Sequence, residues 1–147
     1  MITGEYFLTG LITAGVVVVA VMLHYEGLRY LSDRLMVAGD HQRRRIVLLI
    51  LALLFLHIME IWIFGIAYYV LLQFDGFGAL LGETSMAFFD CIYYSAAVYT
   101  TVGFGDIYPV GSIRLMTGTE AITGLTMITW SASYTFVEML KTWPNND

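Results

Sequence analysis

The longest apolar run limits how this chain can fold. Residues 6–23 read YFLTGLITAGVVVVAVML and carry no charged side chain. An α-helix rises about 1.5 Å per residue, so about 20 apolar residues cross the roughly 30 Å hydrocarbon core of a bilayer. Since 59% of all residues are hydrophobic and 13% are charged, we interpret the run as a transmembrane helix within residues 1–25.

A cleaved signal peptide is the alternative interpretation of this run. Such a peptide begins with a basic segment and ends at a cleavage site of small residues. Here Glu5 precedes the run and HYEGLRY follows it. A retained anchor therefore fits the sequence better.

Residues 46–72 form a second apolar run, interrupted by His57 and Glu60. The segment before it, residues 26–45, is basic although the whole chain has a formal net charge of −5. Because basic residues stay on the cytoplasmic side of a membrane, we expect this segment to be a cytoplasmic or interfacial linker, with the N-terminus outside. It holds five of the seven basic side chains: Arg29, Arg34, Arg43, Arg44 and Arg45.

The rest of the chain predicts one short helix and one long helix. Residues 73–85 are rich in glycine and predict an outer loop, and Thr84 or Ser85 is a candidate helix cap. Residues 85–99 are apolar but too short to span, which indicates a re-entrant helix. Residues 112–141 predict a helix of about 45 Å, and residues 142–147 a short tail. The single cysteine, Cys91, excludes an intrachain disulfide.

Between these two helices lies TTVGFGD, residues 100–106. Glycine adopts positive φ at little steric cost, so this segment predicts irregular backbone at membrane depth. Unsatisfied backbone groups are tolerated there only beside protein or a water-filled path. The segment therefore indicates a pore, although an ordinary turn between two helices is the alternative.

The stretch YYSAAVYTTVGFGDIYP resembles the pore helix, selectivity filter and outer mouth of potassium channels, whose signature is T-V-G-Y/F-G-D. Arg114 and Gly124 resemble a similarly spaced pair on the inner helix of simple bacterial channels. The likeness covers a pore domain at residues 46–141, and the N-terminal helix is additional. It implies an all-α integral membrane protein of the cell membrane, with three transmembrane helices, a re-entrant pore helix, a filter loop, a cytoplasmic C-terminus and homotetrameric assembly.

The resemblance also assigns the filter to residues 101–105. It implies that potassium ions bind the carbonyl oxygens of four residues, while Gly105 completes the filter, Asp106 forms the outer mouth and Val102 packs against the pore helix. It implies no cofactor besides potassium and no nucleic acid, and we expect anionic lipids near Arg43, Arg44 and Arg45. The four potassium-binding residues are Thr101, Val102, Gly103 and Phe104.

Four positions depart from the family pattern. Phe104 replaces the commoner tyrosine, and Tyr93 and Tyr94 stand where bacterial relatives often carry tryptophans. Ala97 replaces a glutamate that pairs with the acid after the filter in some channels, so we expect Asp106 to need another partner, or water. Weaker filter inactivation is the resulting hypothesis.

The inner helix carries a candidate gate. Gly124 is either a hinge or a site of close packing. A stripe at helical spacing is predicted to line the inner cavity, with Phe136 as a hydrophobic gate; the alternative is that the stripe is tetramer core. Its members are Leu125, Ile128, Ala132 and Phe136.

Three ionisable residues lie within apolar sequence, where they usually face protein or water. His57 and Glu60 can form a hydrogen-bonded pair that joins the outer helix to the pore helix through Tyr94 or Ser95, or a proton sensor, or a metal site. Glu120 either supports the back of the filter or lines the pore, and a proton shared with Glu60 is a further alternative.

Other functions stay open at this stage. A poorly selective cation channel differs only in the filter chemistry. A membrane enzyme or proton relay would use His57, Glu60 and Glu120, and a helper subunit would join other channels. No span carries a repeated arginine, so the sequence gives no sign of a voltage sensor.

Overall fold

Three long helices and one short helix form most of the chain in a computed structural model, which describes residues 4–35, 42–82 and 87–142. The candidate cap at Thr84 or Ser85 and most of the predicted tail lie outside the described residues. The elements in chain order are α1 (Gly4–Leu35), α2 (Gln42–Leu71), β1 (Ala79–Gly82), α3 (Phe88–Tyr99), β2 (Ile107–Val110) and α4 (Ile113–Thr142).

Helix α1 does not end at residue 25 but continues to Leu35. The reason is the leucine spacing of its last turns, which buries Leu28 against Leu49, Leu53 and Leu56 of α2. The predicted linker therefore begins, at residues 26–35, as part of a helical bundle. Helix α2 likewise starts at Gln42, before the apolar run.

Two short strands lie outside the predicted helices, and the first of them falls within the predicted outer loop. β1 and β2 pair antiparallel, with Ala79 opposite Val110 and Gly82 opposite Ile107. Gly78 (φ +112°) lies so close to Val110 that a methyl group there would overlap its carbonyl oxygen. The ladder ties the chain before α3 to the chain after residue 106. The fold is therefore mostly helical, with one two-stranded ladder beside the helices.

Helix α3 lies in the centre, between α2 and α4. Gly65 of α2 faces Ile92, where an added methyl group would lie 3.0 Å from the Ile92 Cα. Gly124 of α4 packs directly against the carbonyl of Tyr99, the last residue of α3. The two glycines let both long helices approach α3 closely, and the surrounding core contains Phe64, Tyr68, Cys91, Tyr94, Tyr99, Met116 and Met127.

Helix α1 packs on both α2 and α4. Near its start, Thr9 Oγ1 lies 2.9 Å from Ser112 Oγ, and the Ser112 hydroxyl donates to the Phe77 carbonyl at 3.0 Å. Further along, Ala20 and His24 are fully buried. The additional helix is thus an integral part of the bundle.

Two described helices, α1 over Gly4–Arg34 and α2 over Arg43–Leu71, are long and apolar enough to cross a membrane. Helix α4 is as long as α2 but less apolar, because it carries many threonine and serine residues. Their hydroxyls donate to the carbonyl four residues earlier, which satisfies them inside the helix. These bonds involve Thr117, Thr119, Thr123, Thr126, Thr129 and Ser133.

The contact at Gly65 yields a stability prediction. Gly65→Ala should lower the free energy of unfolding by about 1–3 kcal/mol, because the new methyl group forces α2 away from α3 in a packed core. The loss of the native size-exclusion peak on heating measures this change.

Gly15→Ala is the matched control, since nothing lies within 4 Å of a methyl group at that helical position. It should keep or slightly raise stability, because alanine favours a helix. Equal melting of both variants would contradict the close packing of α2 on α3.

Candidate functional site

The segment between α3 and β2 has an unusual backbone. The dihedral φ is positive at Thr101 (59°), Gly103 (53°) and Gly105 (82°), and at neither residue between them. A positive φ is uncommon for a residue other than glycine, and such strain gathers at functional sites. Because the backbone conformation alternates along the segment, successive peptide groups point the same way. Their N–H groups lie on one side of the segment, and their carbonyl oxygens lie on the other side.

Helix α3 anchors this segment through its free carbonyls. The N–H groups of Thr100, Thr101 and Gly103 donate to Ala96 (3.1 Å), Val98 (2.9 Å) and Ala97 (3.0 Å). The N–H side of the segment therefore faces α3. The last turn of α3 also directs the negative end of its helix dipole to the start of the segment.

The segment is exposed within one chain. Val102 is 56% exposed and Phe104 is 69% exposed, and nothing lies within 4 Å of a methyl group placed on Gly103 or Gly105. Within one chain, more than half of Val102 is therefore left uncovered. Bulky apolar side chains without cover mark a surface that other molecules complete.

Asp106 has a partner at the end of the segment. The Tyr93 hydroxyl of α3 donates to Asp106 Oδ2 at 2.7 Å, and the Tyr93 ring stacks on Phe104 with centroids 6.3 Å apart. The sequence identified Tyr93 as a departure but missed this role. Ala97, which takes the place of the expected glutamate, is buried. One tyrosine therefore contacts both Phe104 and Asp106.

Glu120 lies behind α3 and is fully buried. The Tyr68 hydroxyl of α2 donates to its Oε2 at 2.7 Å, and Ser95 Oγ of α3 lies 2.5 Å from its Oε1. Ser95 also lies 2.8 Å from the Ile61 carbonyl. The carboxyl group thus joins α4 to α2 and α3 on the buried side of α4, as a support for α3 would.

Glu60 lies beside Tyr99, the last residue of α3, and is also fully buried. Its carboxylate contacts His24 Nδ1 at 2.8 Å and His57 Nδ1 at 3.1 Å, and it accepts a hydrogen bond from the Tyr99 hydroxyl. The pair of His57 and Glu60 thus reaches α3 through Tyr99, whereas the expected partners were Tyr94 and Ser95.

Sequence analysis missed His24 and Tyr99 in this group, because helix spacing reveals neighbours on one helix only. Glu60 and Glu120 bond to different partners, and no hydrogen bond joins the two carboxyl groups in the described part of the chain.

Helix α4 exposes the predicted stripe. Gly124 lies on the buried side of α4, against Tyr99. This contact is the one expected of a site of close packing. All members of the stripe are exposed within one chain, as a cavity lining or a contact between subunits requires: Leu125, Ile128, Ala132 and Phe136.

An ion-pair group joins α2 and α4 near the far end of α4. Glu138, which is almost fully buried, contacts Arg45 at 3.0 Å and Lys141 at 2.8 Å. Arg43 and Arg44 are exposed. Of the three arginines expected to meet lipid, Arg45 is thus engaged within the protein.

Comparison with known proteins gives one match. A family model described as "Ion channel" matches residues 56–141, which is more than half of the chain. The match covers the later part of α2, all of α3, the segment with alternating φ, and α4, whereas α1 lies outside it. No curated protein and no solved structure matches the chain.

The support of α3 by Glu120 yields a second prediction. Tyr68→Phe removes one hydrogen-bond donor from a buried carboxyl group, which costs about 1–3 kcal/mol. The variant should therefore melt at a lower temperature, as the loss of the size-exclusion peak on heating reports. Tyr25→Phe makes the same chemical change at a tyrosine that is 52% exposed. It should leave stability unchanged, and equal destabilisation by both would contradict a supporting role.

Proposed function

Because the chain belongs to the ion channel family, we propose that it is a homotetrameric potassium channel, through which potassium ions flow passively across the cell membrane. The observation that carries the proposal is the alternation of φ at Thr101, Gly103 and Gly105. It is the backbone arrangement that presents a row of carbonyl oxygens on one side. Such rows replace the hydration shell of potassium in selectivity filters.

One chain supplies one row, and a filter needs rings of oxygens. Four copies around an axis would bring together the carbonyls of residues 101–104, with the Thr101 hydroxyl below them. The exposure of Val102 and Phe104 supports this assembly, since a neighbouring subunit would cover both side chains. The α3 dipole would favour a cation below the filter.

In this proposal α1, α2 and α4 span the membrane, and α3 with the filter enters it from the outside. The exposed Arg43 and Arg44 would meet anionic lipid at the inner surface, which leaves the N-terminus outside and the C-terminus in the cytoplasm. Helix α4 would line the water-filled path, where its threonines are tolerated. Phe136 would close that path by dewetting, near the group of Arg45, Glu138 and Lys141.

The experiment is a bilayer recording of the purified protein with potassium on one side and sodium on the other. A reversal potential near the potassium equilibrium value is expected. Equal permeability to both ions would establish the poorly selective channel instead. Conduction by the purified chain alone would exclude a helper subunit, and its absence would contradict the proposal.

Gly103→Ala tests the filter directly. Nothing lies within 4 Å of the new methyl group, so the only obstacle is the φ of +53°, which a side chain rarely adopts. We expect the variant to lose conduction or potassium selectivity, while Gly15→Ala conducts as the wild type does. A membrane enzyme or proton relay built on Glu60 and Glu120 predicts instead that Gly103→Ala keeps its activity.

The contact between Tyr93 and Asp106 yields a prediction on inactivation. The hypothesis drawn from Ala97 is that a pair at Asp106 promotes inactivation; here the glutamate is absent and Tyr93 takes its place, so we expect slow current decay in the wild type. Tyr93→Phe should slow the decay further, by about 2- to 5-fold, as expected for the loss of a partly exposed bond of about 0.5–1 kcal/mol. Tyr108→Phe, at an exposed tyrosine of β2, is the control. Fast wild-type decay that neither Tyr93→Phe nor Asp106→Asn changes would contradict the role of this bond.

A further inference from the structure

The group around Glu60 draws on three helices. Glu60 and His57 lie on α2, His24 lies on α1, and Tyr99 ends α3. Donor atoms of His24, His57 and Glu60 all lie within 4.8 Å of one another. His57 and Glu60 lie on one helix and supply two ligands. The third ligand, His24, comes from α1, which packs beside them.

The buried charge of this group needs a cation. Glu60 and His24 have fully buried side chains, and an uncompensated carboxylate is costly at such a position. The described partners of Glu60 are two histidines and a tyrosine, and no lysine or arginine is among them. Compensation must therefore come from a proton on one of these groups or from a bound metal ion.

Three features of the group favour a metal ion. Two imidazole nitrogens and a carboxylate oxygen are a common ligand set for zinc, which holds such atoms at about 2.0–2.2 Å. His24 directs its other ring nitrogen to Ser131 Oγ at 3.4 Å, as histidines that ligate metals do to fix their orientation. The Tyr99 oxygen lies 3.0 Å from His57 Nδ1, and its hydroxyl donates to Glu60, so it can orient two of the ligands.

We propose that His24, His57 and Glu60 form a binding site for a divalent transition metal of the zinc class. The His57 side chain keeps 15% exposure, which leaves one side of the site open to an entering ion. A bound ion would join α1 and α2 beside Tyr99, and Thr101 follows only two residues later. The site thus lies where metal binding can change the geometry at the base of the filter.

Zinc binding to the full chain tests the proposal. The purified protein is freed of metal with a chelator and titrated with zinc ions against a chromophoric zinc indicator. One zinc per subunit is expected. His24→Gln and Glu60→Gln should each weaken binding by more than about 100-fold, and Ser131→Ala by about 10-fold, since outer-shell residues contribute about 10- to 100-fold.

The matched control is His41→Gln, at the third histidine of the chain, which lies outside the described residues. It should bind zinc as the wild type does. Each variant is first checked for the native size-exclusion profile. Absence of zinc binding to the wild type, or binding that all variants retain, would overturn the proposal and leave a proton on His24, His57 or Glu60 as the source of compensation.

Cobalt(II) provides a measurement that needs no variant. Bound at this site in the wild-type protein, it should give the intense visible absorption of tetrahedral coordination, and zinc should displace it. Only the weak absorption of an octahedral ion would overturn the proposal.

A flux measurement adds a functional comparison, which rests on the proposed potassium channel. Zinc should alter potassium flux in the wild type and in His41→Gln but not in His24→Gln. A chain that binds zinc but carries no current would refute the proposed channel and support the metal site. A chain that carries current but binds no zinc would support the channel and refute the metal site.

Discussion

The position of α3 depends on two buried carboxyl groups that contact it one helical turn apart. Glu120 of α4 contacts Ser95 near the middle of α3, and Glu60 of α2 accepts a hydrogen bond from Tyr99 at its end. Polar groups in an apolar surrounding stay there only when they are satisfied. Each carboxyl group therefore fixes the rotation and the depth of α3, and through the bond from Gly103 to Ala97 it fixes the segment with alternating φ.

Features encoded in neighbouring residues could be predicted from the sequence. The apolar runs gave α1 and α2, and the short length of the run before Thr100 gave α3 as a helix too short to span. The glycines at 103 and 105 indicated the positive φ values. Each of these depends on the local length, polarity or conformational freedom of the chain, so it needs no knowledge of distant contacts.

Contacts between distant residues could not be predicted in this way. His24 meets Glu60 across 36 positions, and Tyr99 meets it across 39. The two strands pair segments on either side of α3. In the sequence the glycines of these segments resemble loop residues, whereas in the fold a partner backbone fills the space beside them. The extension of α1 also depended on leucines of α2. Sequence periodicity reveals which side of a helix is apolar, but the identity of the partner comes from packing.

The packing of α1 places it at both ends of the unit formed by α3 and the segment with alternating φ. Thr9 contacts Ser112, which holds Phe77 beside the strands, and His24 contacts the carboxylate that holds Tyr99. A helix that only anchored the chain would need neither contact, and a buried histidine is costly in a membrane helix. Both contacts join α1 to backbone at the two ends of this unit. The helix outside the family match is therefore an element that contacts the unit at both ends.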